Sequence, residues 1–388
     1  PSEVQFHHHY SHAAAGYFTS VFDEATVVVI DAIGEFETAT VWDAFGNQII
    51  KRESYKYPFS YGLFYSAFTK LVGLKPGTDE YVLMGMAAYG DPARYAGDVA
   101  NMFPAWNQQT TTFHTGVENW PHEITCDQDK YDIAAAVQKI YEIRLVEFMR
   151  RVRAKSTSQN LVFMGGCALN CAANTKLLDI WEHVWIMPNP GDAGSSLGAA
   201  LAAQNSHVAW RGPYLGHNIG DFYPTEEILA TLFRDRIVAV ASGRAEFGPR
   251  ALGNRSLLAD PRPADMKDRV NEVKHREPFR PFAPIVMEEH AHEYFDLDRP
   301  APYMQYAVKA KHPHLMPAVV HEDGTSRVQT VNEKQHPGLY EVLDQFYRIT
   351  GLPVLLNTSL NVRNQPMLND EDDVLVWKNI NPKVRIVS

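Results

Sequence analysis

Two strand–glycine–helix units follow one another between residues 161 and 200, and they restrict the fold more than any other stretch. Leu161-Val162-Phe163-Met164 is an apolar run of strand length, and it enters Gly165-Gly166-Cys167-Ala168-Leu169-Asn170. His183-Val184-Trp185-Ile186-Met187 repeats the run, and Gly191-Asp192-Ala193-Gly194-Ser195-Ser196-Leu197-Gly198-Ala199-Ala200 repeats the glycine turn and opens a helix. Strands that alternate with helices build an α/β sheet with parallel strands. A glycine turn between strand and helix turns backbone N–H groups and a helix dipole toward a phosphate. A lone double glycine is a weak signal; its immediate repetition, now with an acid, reads as a nucleotide cleft between lobes.

Upstream, Thr26-Val27-Val28-Val29-Ile30-Asp31 is a β-branched strand that delivers Asp31 at its end, before a tight turn over residues 32–35. Thr38–Trp42 resumes a strand, and residues 43–47 form a hairpin connection to Gln48-Ile49-Ile50. An acid at a strand end beside a glycine turn is either a metal or phosphate ligand or a turn-capping Asp. The pattern from Ser60 to Leu74 is an aromatic-rich core helix, and Met84–Gly90 is a small-residue segment that permits close backbone approach. Residues 95–131 read as irregular and carry no assignable chemistry, whereas Ile133–Val152 reads as an amphipathic helix. Before all of these stands His7-His8-His9-Tyr10-Ser11-His12, followed by three alanines. On a helix, positions four apart share a face, so His8 and His12 can aim two imidazoles at one point, the opening half of a transition-metal site. Tag residues or solvated surface histidines would give the same letters.

At 388 residues the chain exceeds what one core usually organises, and two domains are expected, 1–215 and 216–388. The net charge of −10 weighs against nucleic-acid capture, which needs clustered Lys and Arg. Three cysteines cannot make a disulfide framework; they fit a reducing, cytoplasmic compartment, and Cys167 and Cys171 read as small buried residues. No run reaches a membrane-spanning length. Two basic clusters stand out in the second half: Gly243–Arg255, with three arginines among glycines, and Lys274–Phe282, held extended by prolines. On an acidic chain they point to a phosphate-bearing substrate. Arg327 is a candidate to join them, and the strand Pro353–Leu356 ends in the hydrogen-bonding row Asn357-Thr358-Ser359-Leu360-Asn361.

These segments resemble the O-carbamoyltransferases of the nodulation-protein and antibiotic-tailoring family. The matching motifs run in the family's order: HHxxHAA (His8–Ala14), the strand ending at Asp31, MGxAxYG (Met84–Gly90), GGxALN (Gly165–Asn170) and GDAGxxxGAA (Gly191–Ala200). They continue with GRxEFGPRALGNRS (Gly243–Ser256), LLADPR, VKxRExFRPFAP (Val273–Pro284), DGTxRVQTV (Asp323–Val331) and LLNTSxNVR (Leu355–Arg363). The resemblance implies an α/β protein with an actin-like (ASKHA) nucleotide-binding domain followed by a twisted-sheet YrdC-like, carbamoyl-adenylate-forming domain. It implies a divalent metal, iron(II), held by His8, His12, Asp31 and Asp192. Gly165, Gly166, Asn170 and Gly194 would lie at the adenylate, and Arg250, Lys274, Arg280, Arg327, Asn357 and Ser359 would handle carbamoyl phosphate and ATP with Mg2+. His9 is a candidate proton acceptor or a residue supporting the ligands.

Two departures from the family stand out. Its members carry a first lobe before the HHxxH helix, so the actin-like domain is expected to be truncated at its N-terminus. Asn364 and Asn369 stand where the family has Gly and often Cys. The expected reaction transfers a carbamoyl group from carbamoyl phosphate, through carbamoyl-adenylate, to a hydroxyl of a small-molecule acceptor such as a secondary metabolite, sugar or nucleoside. The competing readings are the same chemistry on a nucleic-acid or nucleotide acceptor, a decarbamoylating hydrolase, and a non-catalytic actin-like regulator. Oligomeric state is left open, a homodimer among the options.

Overall fold

The computed structural model describes residues 4–103, 113–361 and 365–388. The chain divides into two compact units, Pro1–Trp210 and Arg211–Ser388. In the first, α1 (His8–Thr19) precedes the hairpin strands β1 (Glu24–Gly34), β2 (Glu37–Phe45) and β3 (Gln48–Lys56). Helices α2 (Tyr61–Leu71), α3 (Glu80–Met86), α4 (Ala96–Met102) and α5 (Asp127–Ala154) follow. The unit closes with β4 (Asn160–Met164), α6 (Cys171–Thr175), β5 (His183–Trp185) and α7 (Ser195–Gln204).

The five strands form one sheet in the order β3-β2-β1-β4-β5, with β1, β4 and β5 parallel and β2 antiparallel to both its neighbours. Central β1 is buried from Ala25 to Asp31, as its β-branched run requires when both faces are covered. Tyr61, Phe64, Tyr65 and Phe68 of α2 are buried, in keeping with a core helix. Helix α5 starts at a capping box, where Asp129 accepts from the Cys126 and Thr125 amides at 3.1 and 2.8 Å. Ile133, Val137, Ile140, Tyr141, Leu145, Phe148 and Val152 then make its buried stripe.

Three local expectations are corrected. Residues 32–34 continue β1 instead of turning, and the β1–β2 register slips between Ile30 and Gly34, so Asp31 sits at an irregularity within the strand. Residues 96–102 of the supposedly irregular stretch form α4, anchored by buried Val99; residues 104–112 lie outside the described residues. Lys274 is the last residue of a helix, α9, and not part of an extended wall, because the prolines at 278 and 281 act only beyond it.

In the second unit the elements are β6 (Tyr214–Ile219), α8 (Thr225–Asp235), β7 (Ile237–Ala241), β8 (Gly243–Glu246), β9 (Arg255–Ala259), α9 (Met266–Lys274), β10 (Ala283–Met287) and α10 (Ala291–Tyr294). They continue as β11 (Tyr306–Lys309), β12 (Thr325–Val331), α11 (Pro337–Thr350), β13 (Val354–Ser359), α12 (Glu371–Ile380) and β14 (Ile386–Val387). Strand β6 spans residues 215 and 216, where the sequence suggested the division. A mixed sheet runs β11-β12-β10-β13-β9-β7-β14, and β6 pairs with β8 apart from it. Helices α8 and α11 bury Ile228, Leu232, Leu339, Val342, Leu343 and Phe346 in the same core as Val238, Leu258, Ile285 and Leu355 of the sheet. Both units are therefore mixed α/β. Among the described residues, no helix is long and apolar enough to cross a membrane.

Candidate metal centre

The first turn of α1 carries His8, and His12 follows one turn later on the same face. Their Nε2 atoms lie 3.0 Å apart and face two carboxylates. His8 Nε2 is 3.3 Å from Asp31 Oδ2 and 3.2 Å from Asp192 Oδ1; His12 Nε2 is 3.2 and 3.3 Å from the same two atoms. All four donor atoms fall within 4.8 Å of one another. Ligands held about 2.1 Å from one ion would be about 3.0 Å apart at right angles and about 3.4 Å apart in a tetrahedron. The one His–His and four His–Asp spacings lie in that interval, and two imidazoles with two carboxylates suit a borderline divalent metal. The residues fit such an ion.

The fold supplies each donor by a separate device. Asp31 lies just past the last β1–β4 pair, Val29 with Met164, where β1 leaves its regular register, and its Oδ1 accepts from the Ala32 amide at 2.8 Å. Asp192 lies in the one-turn 3₁₀ segment leading into α7. Helix α7 can lie against α1 because residue 198 is glycine: a Cβ there would stand 2.1 Å from the Ser11 carbonyl oxygen. Gly34 plays the same part for His8, whose ring would be 2.5 Å from a Cβ at that position.

Electrostatics express the same demand for positive charge. Hydrogen bonds donated to Asp192 and Asp31 push the His8 pKa up to about 10. Burial opposes protonation of His12, yet the same two carboxylates raise it overall. Asp31 is buried, which by itself would raise its pKa, but hydrogen bonds from His12 and His8 hold it far below the usual carboxylate range. Protons and a metal ion are alternative ways to satisfy this pair of acids. His9 is outside the donor group. It is buried, its Nδ1 is 3.0 Å from Thr40 Oγ1, and Thr40 also accepts from Trp42 Nε1 at 2.8 Å. Burial lowers its pKa to about 4, so it is neutral at pH 7.

The glycine turns border the donor group. Gly165 has φ +91, and a Cβ there would be 2.2 Å from the Ile30 carbonyl oxygen. Glycine is needed at that point for both conformation and space. At Gly166 a Cβ would be 3.1 Å from Asp31 Oδ1, so this backbone lies directly beside the carboxylate. Asn170 is already engaged: its Oδ1 accepts from the Ala173 amide as the cap of α6, and it exchanges two 3.0 Å hydrogen bonds with Gln138. Gly194 packs against the Asn189 carbonyl.

In the second unit, Lys274 is buried and donates to the carbonyl and Oγ of Ser359 and to Asn361 Oδ1, the last at 2.6 Å. Burial first, then the charges of Arg276 and Arg280, push its pKa well down. Arg280 lies 3.6 Å from Glu277, Arg250 is half-buried in the β8–β9 loop, and Arg327 is on β12 opposite Ala307. Asn357 donates to the Ala251 carbonyl at 2.9 Å and to Gln329 Oε1 at 2.7 Å, while its own Oδ1 is buried without a hydrogen-bond partner. Sequence reasoning missed Glu246. Its Oε1 accepts from the amides of Leu252, Asn254 and Arg255 at 2.7, 2.9 and 3.3 Å and so shapes the loop that carries Arg250. It also missed Arg255 as a structural residue; that side chain is fully buried and donates to five backbone carbonyls.

The chain thus consists of two α/β units, one bearing a four-donor group that could hold a metal ion and the other a buried lysine with arginines nearby in sequence. The chain matches the carbamoyltransferase N-terminus over residues 2–201 and the carbamoyltransferase C-terminus over residues 229–381. It belongs to the carbamoyltransferase family and is a carbamoyltransferase enzyme. Nodulation protein NolO of Bradyrhizobium diazoefficiens is 33% identical over 95% of this chain and 75% of its own length. The 3'-hydroxymethylcephem-O-carbamoyltransferase of Amycolatopsis lactamdurans is 31% identical over 85% of this chain and 68% of its own length. Nodulation protein U of Sinorhizobium fredii is 40% identical over 53% of this chain and 40% of its own length.

Proposed function

We propose that this carbamoyltransferase uses ATP to move a carbamoyl group from carbamoyl phosphate, through carbamoyl-adenylate, to a hydroxyl of a small-molecule acceptor. The observation that carries the reading is the convergence of His8, His12, Asp31 and Asp192 within 4.8 Å in a chain of this family. Strand order β3-β2-β1-β4-β5 with a parallel centre supports an actin-like reading of the first unit, and the twisted mixed sheet with its basic cluster supports a YrdC-like reading of the second.

The atoms balance in three steps. Water cleaves carbamoyl phosphate to carbamate and phosphate. A carbamate oxygen attacks the α-phosphorus of ATP, bound with Mg2+, and pyrophosphate leaves. The acceptor hydroxyl then attacks the carbamoyl carbon, AMP departs, and the hydroxyl proton passes to a base. In the second unit Lys274, Arg250, Arg280 and Arg327 neutralise phosphate oxygens, and Ser359 orients the lysine. The unsatisfied Asn357 Oδ1 is an acceptor for the carbamoyl NH2 group. In the first unit Gly165, Gly166 and Gly194 give the adenylate close access to backbone, with Asn170 shaping that turn. A divalent metal held by the four donors, iron(II) in this reading, supplies Lewis-acid polarisation of the carbamoyl oxygen. His9, neutral at pH 7, holds the ligand-bearing helix against β2 and is the candidate to take the acceptor's proton. The acidic chain, at −10, favours a small acceptor over nucleic acid, and three cysteines, too few for a disulfide framework, support a cytoplasmic location.

The test is to supply ATP and carbamoyl phosphate and measure AMP and pyrophosphate by chromatography. Formation of both, dependent on carbamoyl phosphate, is expected. ADP as the sole nucleotide product, or no nucleotide consumption, would sink the adenylate route.

A further inference from the structure

An open depression of about 480 Å³ in the surface of the second unit is lined by Arg236, Arg262, Pro263, Asp265 and Arg269, and it is distinct from the Lys274 group. Asp260 follows β9 at one end, whereas Ser359, the partner of Lys274, pairs with Ser256 at the other. Four residues of strand separate those two levels by about 13 Å. Helix α9 links them, with Asp265 at its N-cap in the cavity wall and Lys274 as its last residue.

Two of the three guanidinium groups are braced by one carboxylate. Arg262 Nε and Nη2 each donate to Asp260 at 2.8 Å, and Arg236 Nη1 donates to the same group at 2.7 Å. Asp260 is only 2% exposed, so it holds both side chains from below. Arg269 Nη2 donates to the Asp235 carbonyl at 3.1 Å. These bonds occupy four of the nine guanidinium nitrogens and leave Arg236 Nε and Nη2, Arg262 Nη1, and Arg269 Nε and Nη1 to a ligand. At the start of α9 the Asp265 side chain makes no capping hydrogen bond, and the Met266 amide donates to the Pro263 carbonyl at 3.1 Å. Three positive charges against Asp260 and Asp265 leave one net positive charge on the wall. A purely structural ion-pair network would not need a third arginine or an open cavity beside it. Arg236 also occupies the left-handed region, φ 64, where glycine is the usual residue at a helix C-terminus. An arginine kept there places a guanidinium at the cavity at the expense of backbone comfort.

From this geometry we infer that the Arg236–Arg262–Arg269 cavity is a second anion site and that it takes an oligophosphate group. Three guanidinium groups on one wall offer planar forks that match successive phosphate oxygens. Among the described residues none of the lining side chains is aromatic, and the Arg262 guanidinium already lies over the Phe346 ring at 5.4 Å, so recognition falls on the phosphates. Free pyrophosphate and the triphosphate tail of a nucleotide present this same chemistry. The inference does not rest on the proposed reaction.

The experiment titrates the full chain with pyrophosphate and, separately, with ATP by calorimetry, comparing wild type with Arg236→Gly and Arg269→Ala. Glycine suits the positive φ, so Arg236→Gly removes the guanidinium without disturbing the fold, and Arg262 still braces Asp260. Each variant is expected to weaken binding of the recognised anion roughly 10-fold or more, the cost of a lost hydrogen bond to a charged group. Weakening confined to pyrophosphate identifies the free anion as the ligand; weakening confined to ATP, or shared by both, identifies the nucleotide tail. Equal affinities for both anions in wild type and both variants, or no binding of either anion by wild type at millimolar concentration, overturns the inference.

Discussion

Replacing Gly198 by alanine perturbs the metal centre without touching a ligand. The added Cβ would lie 2.1 Å from the Ser11 carbonyl oxygen and 3.2 Å from the Ala15 Cβ. That carbonyl belongs to the middle of α1 and cannot swing aside without breaking the helix. An ordinary carbon–oxygen contact is about 3.3 Å, so the helices must separate by about 1.2 Å (3.3 − 2.1). Asp192 sits three residues before the start of α7 and moves with it, while His8 and His12 stay with α1. Metal sites tolerate about ±0.2 Å in ligand distance. Gly198→Ala is therefore expected to lower metal affinity by about 10- to 100-fold, the range seen when a ligand's support is disturbed, and to cost about 1–3 kcal/mol of stability from overpacking. Titration with Mn(II) or Zn(II), followed by thermal unfolding of the metal-free protein, reads both quantities. Unchanged affinity in a variant destabilised as expected would refute the idea that α1–α7 packing sets the donor spacing.

Asp31→Asn keeps the acceptor for the Ala32 amide but removes a charge, and metal affinity should fall by at least ~100-fold with the circular dichroism spectrum preserved. Arg250→Ala and Lys274→Ala should each reduce AMP and pyrophosphate formation by about 100-fold or more; wild-type rates in both would remove the second unit from the chemistry. Burial and two neighbouring arginines push the Lys274 pKa down, and a bound phosphate favours the charged ammonium, so carbamoyl phosphate binding should take up protons. Calorimetry at pH 8 in buffers of different ionisation heat measures that uptake, and identical heats would contradict it. Burial alone would raise the Asp260 pKa, but hydrogen bonds from Arg262 hold it below the usual range. Its contribution is thus present above the unfolded value near 3.9 and is lost as pH falls through the lower folded value. Asp260→Asn should flatten the loss of urea stability as pH falls below about 4, and an unchanged slope would speak against that linkage.

Part of this was legible in the letters. The spacing of His8 and His12 follows directly from helix geometry, and the β-branched run of β1 and the aromatic helix α2 signalled buried elements by composition alone. Asp31 was readable as a ligand or a turn cap from its place at a strand end, but its pairing with Asp192 was readable only through the motif resemblance, because their convergence depends on how distant strands meet. The continuation of β1 through Gly34 was hidden because Gly and Glu mimic a turn, and only the slip against β2 and the approach of His8 explain it. Lys274 looked extended because prolines follow it, yet α9 ends before they act. Glu246 left no signal, since a carboxylate that accepts from its own loop's amides has no partner type to search for. The arginine cavity was also invisible, because Arg236, Arg262 and Arg269 come from three elements with no shared spacing.

The central claim is that His8, His12, Asp31 and Asp192 act as one metal site. Its most direct test is the stoichiometry of iron(II), added anaerobically to the stripped chain and measured by equilibrium dialysis with metal analysis. One equivalent per chain, abolished in the His12→Ala/Asp31→Asn double variant, is the predicted result. No bound metal in the wild type, or one equivalent retained in a folded double variant, would contradict it.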